Sequence, residues 1–246
     1  ADLRDGCLWG RGTSDCKGGL VVGVEAVRAL LSLGLPLSGS LVLESVVEEE
    51  CSGSGAGTLA CLDAGYEGDV AVFLDGNDLA LTLGCGGCLT ADLRVQGRMG
   101  HAAGGGAVSA LDKALVVKAA IDEFAAQRLQ QAEHLRVNLG VFQAGVHAAV
   151  VPANAYLSLN IVYDLGEAEA ARACGQGWGG APVRARFEQI VREHEARDPW
   201  LAEHPSELTW VKDLVPFDQP REDPWVQRLA AAFAQVTGQQ PQYARM

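Results

Sequence analysis

The chain is 246 residues long, 48% hydrophobic and 20% charged, the make-up of a globular protein with room for one large domain or two modest ones. Its formal net charge of −12 argues against nucleic acid and anionic membrane surfaces as partners, and no apolar run is long enough to span a bilayer. The opening ADLRDGCLWG does not read as a signal peptide, and seven cysteines, an odd number, do not make a secreted disulfide framework, so the expected location is cytoplasmic.

From Lys17 the apolar positions Leu20, Val24, Val27 and Leu31 recur at helical spacing, and Gly34 ends that helix. SLVLESVV (40–47) is rich in β-branched residues and reads as a strand. GTLACLDAG (57–65) reads as a short helix and DVAVFLD (69–75) as a second buried strand. Strands alternating with helices imply a parallel sheet covered on both faces, with function beyond the carboxyl ends of its strands. Glu48, Glu49, Glu50 and Asp75 stand at such ends.

The pattern changes near Gly86. CLTADLRVQG (88–97) alternates like a half-exposed antiparallel strand, and a helix follows with Leu111, Ala114, Val117, Ile121 and Phe124 on one face. LRVNLGVFQAG and NAYLSLNIVYD read as two further strands. A charged helix from Glu167 to Glu195 is interrupted by GQGWGGAP (175–182), and SELTWVKD (206–213) reads as a last strand. The order β-α-β-β-α-β is that of a ferredoxin-like unit. A helix from Asp223 with Val226, Leu229, Phe233 and Val236 follows it, so the unit is an insertion. The expected domains are therefore 1–87, 88–213 and 214–246.

The Gly-rich run GSGAGT sits where a dinucleotide fingerprint would, but its spacing breaks G-x-G-x-x-G. Neither a phosphate-binding G-x-x-x-x-G-K-[ST] nor a G-x-S-x-G elbow occurs. Cys85 and Cys88 form a C-x-x-C without a second Cys or His pair, and read as ordinary reduced thiols. A solvated strand end would explain an isolated acidic triplet, and a helix N-cap would explain Asp15 in LWGRGTSDCKGG. Asp15, Glu49, Glu50 and Asp75 nevertheless fall at the top of one expected sheet. Their mutual repulsion calls for a cation, and a divalent metal with hard oxygen ligands is the natural one. Two adjacent glutamates can then divide the work, one ligating while the other takes a proton from a metal-bound water.

LWGRGTSDCKGGL, VVEEECSGSGAGT, GRMGHAA and VVPANAYLSLNI together resemble, in order, the signature blocks of the M20 family of metallo-deacylases and metallopeptidases. DPWLAEHPSELTW most resembles the acetylornithine-deacetylase-like branch. The resemblance implies an α/β zinc-hydrolase domain built on a parallel sheet, with an inserted ferredoxin-like lid through which two subunits pair. It implies that Asp15 bridges two zinc ions, replaceable by cobalt or manganese, that Glu50 and Asp75 are further metal ligands, and that Glu49 is the general base. It also implies that His101 stabilises the oxyanion in the partner subunit's site, and that a non-proline cis peptide follows Asp15.

Cys16 stands where family members often have methionine. His147 lies near the expected substrate end of the insert and is a candidate substrate contact, while His134 and His194 read as surface residues. The implied substrate is an N-acyl amino acid, with a metallo-carboxypeptidase or dipeptidase acting on short peptides as the alternative. Two departures stand out. An Asn and an Arg that commonly grip a substrate carboxylate are here Ala149 and Val162, and the family's flanking H-x-D block and C-terminal His have no match. The chain therefore reads as an interior piece with an incomplete catalytic domain. An inactive chain that only pairs through its insert is the reading from another class.

Overall fold

A two-residue Asp-Gly turn is a strong hairpin signal, because both central residues must adopt positive φ. Asp5 and Gly6 do so, at 52° and 77°, and join β1 (Asp2–Arg4) to an antiparallel β2 (Cys7–Trp9). The computed structural model describes residues 1–49, 55–75 and 79–245. Next in chain order come α1 (Gly18–Ser32), α2 (Ala56–Asp63), β3 (Leu81–Cys85), β4 (Gly87–Gln96), β5 (Gly100–His101), α3 (Ala110–Gln131) and β6 (Val137–Ala144). They are followed by β7 (Val150–Val151), β8 (Asn154–Tyr163), α4 (Leu165–Ala173), α5 (Ala181–Glu195), β9 (Glu207–Leu214), β10 (Phe217–Asp218), α6 (Pro224–Thr237) and β11 (Tyr243–Arg245). The chain divides into two compact units, one of residues 1–83 with 219–245 and the other of residues 84–218.

In the first unit α1 ends as its sequence implies, with Gly34 in the left-handed region at φ 63° donating its amide to Leu31 O. α6 starts at an Asp223 cap, whose Oδ1 accepts from the amides of Trp225 and Val226. The expected parallel sheet is corrected: residues 40–47 and 69–75 carry no strand ladder among the described residues. A ladder needs hydrogen-bonded neighbours, and the described residues supply none to these β-branched runs. Val72 and Phe73 remain 59% and 78% exposed. The helices nonetheless lie close on these segments. A Cβ at Gly23 would stand 2.5 Å from Leu74 Cδ1 and 3.4 Å from Leu43 Cδ1, and one at Gly19 would stand 1.7 Å from Leu74 O. Only glycine lets α1 sit there.

In the second unit the alternating patterns do what they predict. Leu89, Ala91, Leu93 and Val95 of β4 and Leu157, Leu159, Ile161 and Tyr163 of β8 are buried, so one face of each strand enters the core. The four-stranded antiparallel sheet has the order β6-β8-β4-β9. With the crossing helices α3 and α5 this is the ferredoxin-like arrangement. Phe124 of α3 meets Phe187 of α5 edge to face at 5.2 Å, and Phe187 meets Trp210 of β9 at 5.8 Å. GQGWGGAP does interrupt the charged helix, separating α4 from α5. Asp213 secures that loop by accepting from the Gly180 amide at 3.1 Å and from the Tyr163 hydroxyl at 2.6 Å. Burial, with that hydrogen bond, pushes the Tyr163 hydroxyl far above its ordinary pKa.

Arg128, 3% exposed, is the one buried guanidinium among the described residues. It pairs with Glu167, which also closes a capping box with Asp164 at the start of α4, and it donates to Val162 O at 2.6 Å. Arg128→Ala would strand both acceptors. An expected loss of about 3 kcal/mol in urea unfolding checks this role.

Candidate metal centre

The first candidate carboxylate, Asp15, lies in a turn whose geometry its glycines set. Gly12 takes φ 77°, the Lys17 amide donates to Gly12 O at 2.9 Å, and Thr13 Oγ1 donates to Gly10 O at 2.9 Å. Inside this turn Asp15 (φ −118°, ψ 100°) and Cys16 (φ −132°, ψ 30°) are not helical, and the peptide between them is cis. α1 begins at Gly18 behind Lys17 and has no side-chain cap, so Asp15 is not spent on capping.

Asp75 ends the segment 69–75, next to the Leu74 that Gly19 admits. The result is a convergence. One carboxylate oxygen of Asp15, one of Asp75 and the Sγ of Cys16 all lie within 4.8 Å of one another, and all three residues are exposed. Tetrahedral zinc, with ligands about 2.0–2.3 Å away, spaces them roughly 3.3–3.8 Å apart. The 4.8 Å limit is about an ångström above that spacing, so the donor types and their nearness fit a divalent ion. Among the described residues it is the one group of three such side chains. Glu49 is exposed and does not join it. It follows Glu48, whose φ of 73° turns the chain sharply at the end of the 40–47 run. Glu50 lies outside the described residues, as does most of the GSGAGT run.

His101, in the second unit, sits on β5 opposite Val150 of β7. Its Nδ1 accepts the Ala103 amide at 3.2 Å, which places the proton of the neutral ring on Nε2 and makes that nitrogen a donor. His147 repeats the device, with Nδ1 accepting from the Ala149 amide at 3.1 Å. The two loops are tied together by the Ala102 amide donating to Ala149 O at 3.0 Å, and the His147 loop is closed on itself by the Val150 amide donating to His147 O at 3.1 Å.

The His101 loop has a buttress that the sequence reading missed. Arg98 and Val108 exchange both backbone hydrogen bonds across its base, and the Arg98 guanidinium lies 4.9 Å over the Trp200 ring. Trp200 stacks in turn on His204 at 4.0 Å and donates to Gln96 O at 2.8 Å. His134 is exposed, as expected. His194 is corrected: it is half-buried, and its Nε2 lies 2.8 Å from Glu123 Oε2 of α3. Cys88 donates to Asn160 Oδ1 at 2.8 Å, and burial, then the neighbouring Cys88, pushes the Cys85 thiol up. Neither cysteine joins a group of three ligands among the described residues.

The model of peptidase family M20/M25/M40 matches residues 1–245. The chain belongs to that family. An N-formyl-4-amino-5-aminomethyl-2-methylpyrimidine deformylase of Bacillus subtilis is 28% identical over 225 residues, 84% of this chain and 50% of its own length. A probable carboxypeptidase of Emericella nidulans is 30% identical over 190 residues, 68% of this chain and 44% of its own. This M20 chain thus spans about half the length of these curated relatives. Among solved structures, a tripeptidase from Staphylococcus aureus aligns over 95% of the chain with a TM-score of 0.63 at 18% identity, a likeness of fold. The M20 family is metal-dependent in general, which agrees with the oxygen-rich character of the trio. No described helix is long and apolar enough to cross a membrane.

Proposed function

We propose that the protein is a zinc-dependent hydrolase that cleaves the linear amide of an N-acyl amino acid, acetylornithine-like in its substrate, and releases a carboxylate and an amine. The observation that carries this reading is the convergence of Asp15 and Asp75, from two separate segments, in a chain of this family. In this reading Asp15, Asp75 and Glu50 would hold two zinc ions, for which cobalt or manganese could substitute. When bound, the metal supplies Lewis acidity and lowers the pKa of a water to near neutrality.

The remaining steps belong to side chains of the protein. Glu49 takes the proton of the attacking water and passes it to the leaving amine. The Nε2–H of His101 donates to the oxygen on which negative charge develops, in the site of the partner protomer. His147 contacts the substrate, in place of the charged grip missing at Ala149 and Val162. The unit 84–218 is the lid, and it pairs two protomers. A deformylase among the relatives favours a small acyl group, whereas the carboxypeptidase relative favours the second reading, cleavage of a dipeptide or a C-terminal residue.

Zinc-supplemented assays on N-formyl, N-acetyl and N-succinyl amino acids and on a dipeptide panel separate the two readings. On the preferred substrate, Glu49→Gln is expected to lower kcat by about 10²–10⁴-fold with little change in KM. Equal kcat for the two proteins would remove Glu49 from its role.

A further inference from the structure

We infer that the Cys16 thiol is itself a ligand of the ion held by Asp15 and Asp75, so that this site is mixed oxygen–sulfur and prefers borderline-soft ions. The inference rests on reading the trio as a metal centre, and adds to it a ligand and a selectivity. Its basis is geometric. Asp15 and Cys16 present their ligating atoms to one point, within 4.8 Å of each other and of Asp75.

The chemistry of the donor set follows. A thiol becomes a ligand by losing its proton, so one sulfur–metal bond forms as one S–H bond breaks and one proton goes to solvent. Two carboxylates alone make a hard site suited to magnesium or manganese. A thiolate beside them shifts preference toward zinc and cadmium. Serine in its place would keep the shape of the turn and return the site to hard donors.

The test is a titration of the reduced full chain with cadmium chloride and, separately, manganese chloride, followed by near-ultraviolet absorbance and by metal analysis. Six other cysteines are present, so the thiolate-to-cadmium charge-transfer band is compared among the native chain, Cys16→Ser and Asp75→Asn. The inference expects a band that saturates near one cadmium per native chain and is lost in both variants. It also expects Cys16→Ser to weaken cadmium binding by about tenfold or more while manganese binding changes by less than about twofold. Cadmium bound at the same affinity and with the same band in Cys16→Ser would overturn the sulfur ligand and leave the carboxylate site standing. Retention of no ion by any of the three proteins would overturn the metal centre, and the sulfur ligand with it.

Discussion

Valine in place of Gly19 will destabilise the unit that contains residues 1–83 and weaken its hold on metal in the same stroke. A Cβ at this position would lie 1.7 Å from Leu74 O and 2.9 Å from Leu74 C, and a backbone carbonyl cannot rotate away as the tip of a side chain can. Relief requires α1 to lift off the 69–75 segment. Overpacking of this kind costs about 1–3 kcal/mol for one added methyl, and the branched side chain belongs at the upper end. The same movement separates Asp15, four residues before Gly19, from Asp75, the residue after Leu74. Urea unfolding and zinc titration of Gly19→Val should therefore both shift. Gly34→Ala is the matched control, because position 34 opens onto free space at φ 63°. Its expected loss is about 1 kcal/mol from backbone conformation alone, with zinc affinity retained.

Asp15→Asn will remove metal binding and hydrolysis together. Asp15 contributes a charged oxygen to the trio and has no capping duty in α1. An amide keeps the size of the side chain but surrenders the charge that offsets a divalent ion, so the fold should persist while the site does not. The expected outcome is an unchanged circular dichroism spectrum, zinc retention at background after dialysis, and activity lowered at least as far as in Glu49→Gln. A variant that keeps its zinc would take Asp15 out of the site.

Much of the second unit was legible because its order is written in local periodicity. Strands with one buried face alternate cleanly, as Leu89, Ala91, Leu93 and Val95 do, and Ser109 and Asp164 cap α3 and α4 with their own side chains. The runs 40–47 and 69–75 misled because β-branched composition reports what a segment can do. Pairing depends on neighbours remote in sequence, and none is hydrogen-bonded to them among the described residues. His194 was misread for the same reason, since its partner Glu123 lies 71 positions away. The Asp5-Gly6 turn is the opposite case, a local signal present in the sequence and passed over.

The nearness of Asp15 and Asp75 was anticipated, but through an expected sheet that the described residues do not form; what brings them together is the close approach of α1 to Leu74. The inclusion of Cys16 was not anticipated, because adjacency in sequence ordinarily points two side chains apart. The buttress of Arg98, Trp200 and His204 joins segments about a hundred residues apart and leaves no periodic trace.

The central claim is that Asp15 and Asp75 form a metal site. Calorimetric titration of zinc into the reduced native chain, and into a chain carrying both Asp15→Asn and Asp75→Asn, tests it most directly. A saturable binding step in the native chain that vanishes in the double variant is the predicted result. Identical heats in the two proteins, or none in either, would contradict it.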